Sequence, residues 1–335
     1  MPQPRLTFAC ELDASRLGAL VADAAVIEDL QALEARVAMM LSDLSSGRAD
    51  AVRRLNEAGV PVVAIPLLPY AEGYYFTADN PERAAARYQE WKEWTAEHQL
   101  GWAGVGLDIE PDVRVYEAIA DHPWRLLPVL LRGLRDRERP RRAGDAYAAL
   151  VARIRADGWT VENYQFPPLA DERRAGSTLL QRLFGLVDVA TDREVWMLYT
   201  SFMRSIGPGL LWSYAPEATV VAVGSTGGAP DIPGSPQVPA LNWQEFASDL
   251  QLAHHWCDDL YVHSLEGCVQ QGFLGRLRSL QWGEATAPGS AKAAAALRRA
   301  LRATLWLSAR RGRALAAAAV VSFALTGLRQ AARRV

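Results

Sequence analysis

Two acids, Asp108 and Glu110, close the stretch Gly104-Val105-Gly106-Leu107-Asp108-Ile109-Glu110-Pro111-Asp112. Side chains of a strand alternate between its faces, so Val105, Leu107 and Ile109 share one side while Gly106, Asp108 and Glu110 share the other. An apolar strand gains nothing from neighbouring carboxylates on one face, because each must be solvated, paired or hydrogen-bonded to stay charged. The pair therefore reads as chemistry or ligand binding. Two carboxyl groups across an anomeric carbon are what glycosidic bond hydrolysis needs: one protonates the leaving oxygen, the other attacks or activates water.

A strand-then-helix period runs through the first 283 residues. Expected strands begin near Leu6, Arg36, Val60, Gly104, Gly158, Glu194, Ala218 and Asp259. Val60 to Pro66 is the continuous apolar kind expected when both faces of a sheet are covered. Asn80 and Pro81 suit the cap and first position of a helix. Eight such pairs, with crossover helices that force parallel pairing, predict an α/β (β/α)8 TIM barrel; the alternative is a doubly wound open sheet. The open sheet would more often carry a glycine-rich loop after its first strand, where this chain has Cys10-Glu11-Leu12-Asp13.

A barrel gathers its site where the strand C-termini meet, so the last polar residue of each strand becomes a candidate. Those are Glu11 and Asp13, Asp43, Asp108 and Glu110, Glu162, Tyr199, Ser225, then His263 and Glu266. Glu110, Asp108 and Glu266 are the catalytic candidates, and the others, with Tyr74 and Tyr164, are candidates for holding substrate. Taking the eighth strand through to Glu266 gives His263 and Glu266 opposite parity, so only one is expected to point inward, and Glu266 is preferred. Tyr74, Tyr75, Trp212 and Tyr214 follow the third and sixth strands and offer flat faces to a sugar ring.

Asp108-Ile109-Glu110 at the end of a fourth barrel strand resembles the acidic strand motif of TIM-barrel glycoside hydrolases. The shorter, lysozyme-type pattern Asp-x-Glu fits directly, and the resemblance implies Glu110 as general acid. The longer chitinase-type pattern, Asp-Gly-x-Asp-x-Asp-x-Glu, would put Val105 at its first acid and Asp112 at its catalytic Glu, so it fits only in part. The resemblance implies a carbohydrate or glycoconjugate as partner and no cofactor. A metal-dependent sugar isomerase or epimerase is the alternative, with Glu110, Glu162, Glu266 and His263 as donors to Mg²⁺ or Mn²⁺. A barrel that binds a saccharide without turning it over is the third reading.

The formal net charge of -2 hides an asymmetry: residues 291–335 hold ten basic side chains and no acidic one, leaving 26 basic against 38 acidic before them, a balance of -12. Residues 1–283 are read as the catalytic barrel and 284–335 as a linker and basic, alanine-rich helical tail. In the tail Leu297, Leu301 and Leu305 form a narrow stripe, with Arg298, Arg299 and Arg302 on another side. The uncharged run from Ala314 to Leu328, at about 1.5 Å per residue, reaches roughly 22 Å, short of the ~30 Å hydrocarbon core. The tail is thus expected either to lie on an anionic membrane surface or to dock on the barrel. Nucleic acid is not an expected partner, since Trp306 is the one aromatic before that run. Three cysteines without metal-type spacing and no signal-like start predict a reducing, cytoplasmic setting, with the inner face of the membrane as a possible anchor.

Overall fold

The computed structural model describes residues 2–112, 133–228 and 238–310. Its elements in chain order are β1 (Arg5–Cys10), α1 (Ala14–Ala22), α2 (Ala24–Ala32), β2 (Arg36–Leu41), α3 (Ser46–Glu57), β3 (Val62–Pro66), α4 (Pro81–His98) and β4 (Gly104–Leu107). They continue with α5 (Arg139–Ala156), β5 (Val161–Gln165), α6 (Pro168–Ala175), α7 (Leu179–Phe184), β6 (Arg193–Met197), α8 (Gly207–Tyr214) and β7 (Val220–Gly224). The last are α9 (Trp243–His254), β8 (Asp259–His263), α10 (Leu265–Gln270), α11 (Phe273–Leu277) and α12 (Ala291–Arg310). All eight strands pair in parallel and in sequence order, and β8 returns to β1 with Leu6 opposite Leu260 and Phe8 opposite Val262. The expected (β/α)8 barrel is the fold.

Two apolar layers hold it. Outward-facing Phe8, Val37, Met39, Val105, Leu107, Val221 and Leu260 pack under the helices, while Ala38, Val63, Ile65, Tyr164, Val195, Ala222 and Tyr261 fill the inside. Helix ends follow local chemistry. Asn242 and Glu245 form a reciprocal capping box at α9. Pro81 opens α4 as expected, but the Asn80 side chain turns back to accept from Thr77 N–H at 2.6 Å instead of capping the helix. Gly106 has a packing reason: a Cβ there would lie 2.7 Å from the Tyr164 hydroxyl oxygen.

The tail helix docks. Leu305 of α12 is buried among Leu169, Leu179, Leu180 and Leu183, and Arg298 places its guanidinium 3.8 Å from the centre of the Tyr214 ring. Arg298 Nη2 lies 3.0 Å from Asp171 Oδ1 and 2.5 Å from Glu217 Oε2, and Arg302 Nε lies 2.6 Å from the same Asp171 oxygen. Of the arginines set apart from the leucine stripe, Arg298 and Arg302 are neutralised by Asp171 and Glu217 on the barrel, while Arg299 is exposed. No helix among the described residues is long and apolar enough to cross a membrane. The run from Ala314 to Leu328 lies outside the described residues.

Candidate active site

The C-terminal mouth collects acids from both ends of the chain. Glu11 follows β1; its Oε1 accepts from the Tyr74 hydroxyl at 2.6 Å and its Oε2 lies 3.8 Å from His263 Nε2. The Glu11 backbone N–H donates to Glu266 Oε1 at 3.2 Å. The Tyr199 ring stands 5.5 Å from the His263 ring. Asp108, one residue beyond β4, keeps strand parity and is 3% exposed; Glu110 is only partly buried. Ile109 between them bridges to Phe76, and Glu110 N–H donates to Phe76 O at 2.9 Å, which carries the strand geometry past its formal end.

The electrostatics set these acids apart from ordinary surface carboxylates. Burial, followed by the negative charges of Glu110 and Glu11, raises Asp108 well above the usual carboxylate range. Glu266 is also raised by burial, although its own N–H, His263 and the Glu11 N–H pull the other way. Burial alone would lower His263, but the hydrogen bond and charge of Glu11, with Glu266 and Glu110 behind, leave it raised. Tyr74, Tyr75 and Tyr199 are raised by burial among the same acids. Asp108 Oδ1, Glu266 Oε2, His263 Nδ1 and the Tyr164 hydroxyl are buried with no hydrogen-bond partner. Unpaired buried polar atoms are uncommon and call for an explanation.

Of the expected residues, the structure brings together Glu11, Tyr74, Asp108, Glu110, Tyr199, His263 and Glu266. The expectation that only one of His263 and Glu266 points inward is corrected. The strand ends at His263, and Glu266 sits in the first turn of α10, where Ser264 caps the helix by accepting from Gly267 N–H. Ser264 was the available signal: read as a cap, it ends the strand three residues before Glu266. Tyr75, noted for its flat face, belongs here too, since after burial the charge of Glu110 does most to raise it. Cys10, which nothing in the sequence singled out, lies beside Glu266.

Other candidates lie elsewhere. Glu162 is the second residue of β5, hence at the opposite, N-terminal end of the barrel. There its Oε1 meets Arg36 at 2.6 Å and Arg193 at 3.1 Å, its Oε2 accepts from the Tyr261 hydroxyl, and Asp259 joins through Arg193 at 2.7 Å. Asp13 caps α1, accepting from Arg16 N–H at 2.9 Å, and is exposed. Asp43 pairs with the fully buried Arg48 at 2.7 Å; although its partial burial acts to raise it, Arg48 and Ser45 hold it down at about 2. Ser225 shapes the loop after β7, donating its N–H to Ser201 Oγ and accepting from Gly227 N–H. Tyr164 lies in the layer beneath the mouth, packed on Gly106 and Tyr261. Trp212 stacks on His255, and Tyr214 donates to Asp171, both on α8 rather than in the mouth.

The donor set expected for Mg²⁺ or Mn²⁺ does not converge, because Glu162 is at the far end of the barrel. Among the described residues no group of three or more His, Cys, Asp or Glu is arranged to hold a metal ion.

Neither a protein-family model nor a curated protein sequence matches the chain. Among solved structures, the chain is similar to a xylose isomerase domain-containing protein from Salmonella typhimurium LT2, with 11% identity over 90% of this chain and 98% of that one and a TM-score of 0.42. That likeness is one of fold, and the barrel itself rests on the eight strand pairings.

Proposed function

We propose that the barrel is an acid–base enzyme acting on a carbohydrate, with cleavage or transfer of a glycosidic bond as its reaction. The observation that carries the reading is the strand-4 pair: Asp108, buried and with its pKa raised, beside the more accessible Glu110, in a mouth that also holds Glu11 and Glu266. Like charge beside a buried carboxyl favours keeping one proton within the pair. Glu110, nearer the rim, delivers it to the leaving oxygen, and Asp108 positions and recharges Glu110 from below. Glu11, held by Tyr74 and facing His263, has the partners that stabilise a negative charge, which suits the carboxylate that attacks or activates water.

A second reading, isomerisation or epimerisation of a free sugar, is favoured by one observation. The Glu11–His263 contact is an acid–base pair able to take a proton from carbon while Asp108 supports the adjacent oxygen. One experiment separates the two. The full-length protein is incubated with a panel of aryl glycosides and free sugars, and both released phenol and the aldose–ketose or epimer ratio are measured. Phenol release that is lost in Glu110→Gln supports hydrolysis. Interconversion of a free sugar without phenol release supports the second reading, and neither activity, with saccharide binding intact, leaves a binding barrel.

A further inference from the structure

The Glu11–Tyr74 hydrogen bond joins two loops of the mouth, one after β1 and one after β3, and the backbone at each of its ends is tied to a buried arginine. Arg48 of α3, 0% exposed, donates to Leu12 O at 3.1 Å and to Met40 O at 3.0 Å, so one guanidinium joins the exits of β1 and β2. Leu12 directly follows Glu11. Arg87 of α4, 6% exposed, donates to Leu67 O at 2.7 Å and to Leu41 O and Ser42 O at 3.1 and 3.2 Å, which joins the exits of β2 and β3. The residue after Leu67, Leu68, donates its N–H to Tyr74 O at 2.8 Å. The two arginines therefore hold the backbone on either side of the pair whose carboxylate faces His263.

Asp43 and Glu90 balance the two charges from the more exposed side. Burying a guanidinium still carries a desolvation cost of several kcal/mol that an apolar side chain of similar volume avoids. What arginine adds is direction, because its planar fork of N–H donors fixes two carbonyls at once. We infer that Arg48 and Arg87 are positioning residues of the mouth, setting the backbone at both ends of the Glu11–Tyr74 hydrogen bond and through it the approach of Glu11 to His263. The placement stands on these hydrogen bonds; its service to turnover rests on the proposed function.

His263 reports that placement without any substrate. Burial acts to lower its pKa, and Glu11, followed by Glu266 and Glu110, holds it above the ordinary value. Full-length protein carrying ¹³C-labelled histidine is titrated by NMR, and the His263 signal is identified among the five histidines by its loss in His263→Gln. Arg48→Met and Arg87→Met should each lower the His263 midpoint by about 0.5 or more, as Glu11 draws away. The sign separates placement from charge, because losing a cation by itself raises the midpoint of a neighbouring imidazole. An unchanged or raised midpoint at one position removes that arginine from the role, and at both positions overturns the inference. If a methionine variant does not fold, the lysine variant at that position, which keeps the charge but not the fork, is expected to show the same fall and is judged the same way. A lowered midpoint together with turnover that does not need Glu110 would keep the positioning role and remove the catalytic reading. Turnover lost in Glu110→Gln, with the midpoint unmoved in the arginine variants, would do the reverse.

Discussion

At the scale of single residues, Asp108 and Asp43 show how two aspartates near strand ends acquire opposite characters. Asp108 has burial and like charges, so its folded pKa lies above the unfolded value of about 3.9. The native state then holds a proton that the unfolded chain has released, and Asp108 lowers stability as pH rises from about 4 through its raised pKa. Asp108→Asn should therefore be more stable than the parent at pH 8, with the difference vanishing below about pH 4 in urea unfolding. Asp43 runs the other way. Its pKa is depressed to about 2, so its contribution is present above about pH 4 and lost as pH falls toward 2. Asp43→Asn should be less stable at pH 7 and match the parent near pH 2 by thermal melting. Glu110→Gln is expected to lower kcat by roughly 100-fold or more without moving the melting temperature, in keeping with general-acid contributions. The spacing of Asp108 and Glu110 was readable in the sequence because strand periodicity is strict. The cap at Asp13 is of the kind an acid just ahead of a helix suggests, whereas the ion pair of Asp43 was not readable, because it depends on a backbone turn that brings Arg48 back to it.

At the scale of elements, Glu162 teaches where periodicity stops being informative. Its inward direction follows from alternation along β5, but its height along the barrel depends on where the strand begins, and Val161 starts three residues later than Gly158. That offset moves the acid from the mouth to the floor, among Arg36, Arg193 and Tyr261. Glu162 is 1% exposed, so removing its charge leaves the partly buried Arg36 without its carboxylate and Arg193 with Asp259 alone. Glu162→Gln should cost about 3 kcal/mol of stability. The activity of the folded fraction should be unchanged, since the floor and the mouth are at opposite ends of every strand; urea unfolding and an active-site titration check the two halves. The eighth strand carries the converse lesson: Ser264 turns the chain into α10 early, and both His263 and Glu266 come to face Glu11.

For the molecule as a whole, the acidic body and basic tail meet each other in part. Arg298 and Arg302 join Asp171 and Glu217, which clamps α12 across α6 and α8. The helix and its leucine stripe were legible in the sequence; the clamp was not, because Asp171 and Arg298 are 127 residues apart in the chain. Arg298→Ala should cost about 3 kcal/mol by stranding the fully buried Asp171 with a weaker partner. It should also speed proteolytic removal of the segment after residue 290, read by gel. The floor has a kinetic corollary. With Arg36, Glu162, Arg193, Asp259 and Tyr261 knitted across one end of the cylinder, that end is shut among the described residues, and whatever enters past Glu110 must leave on the same side. A product still held there blocks the next arrival, and the product that leaves last should inhibit competitively against substrate.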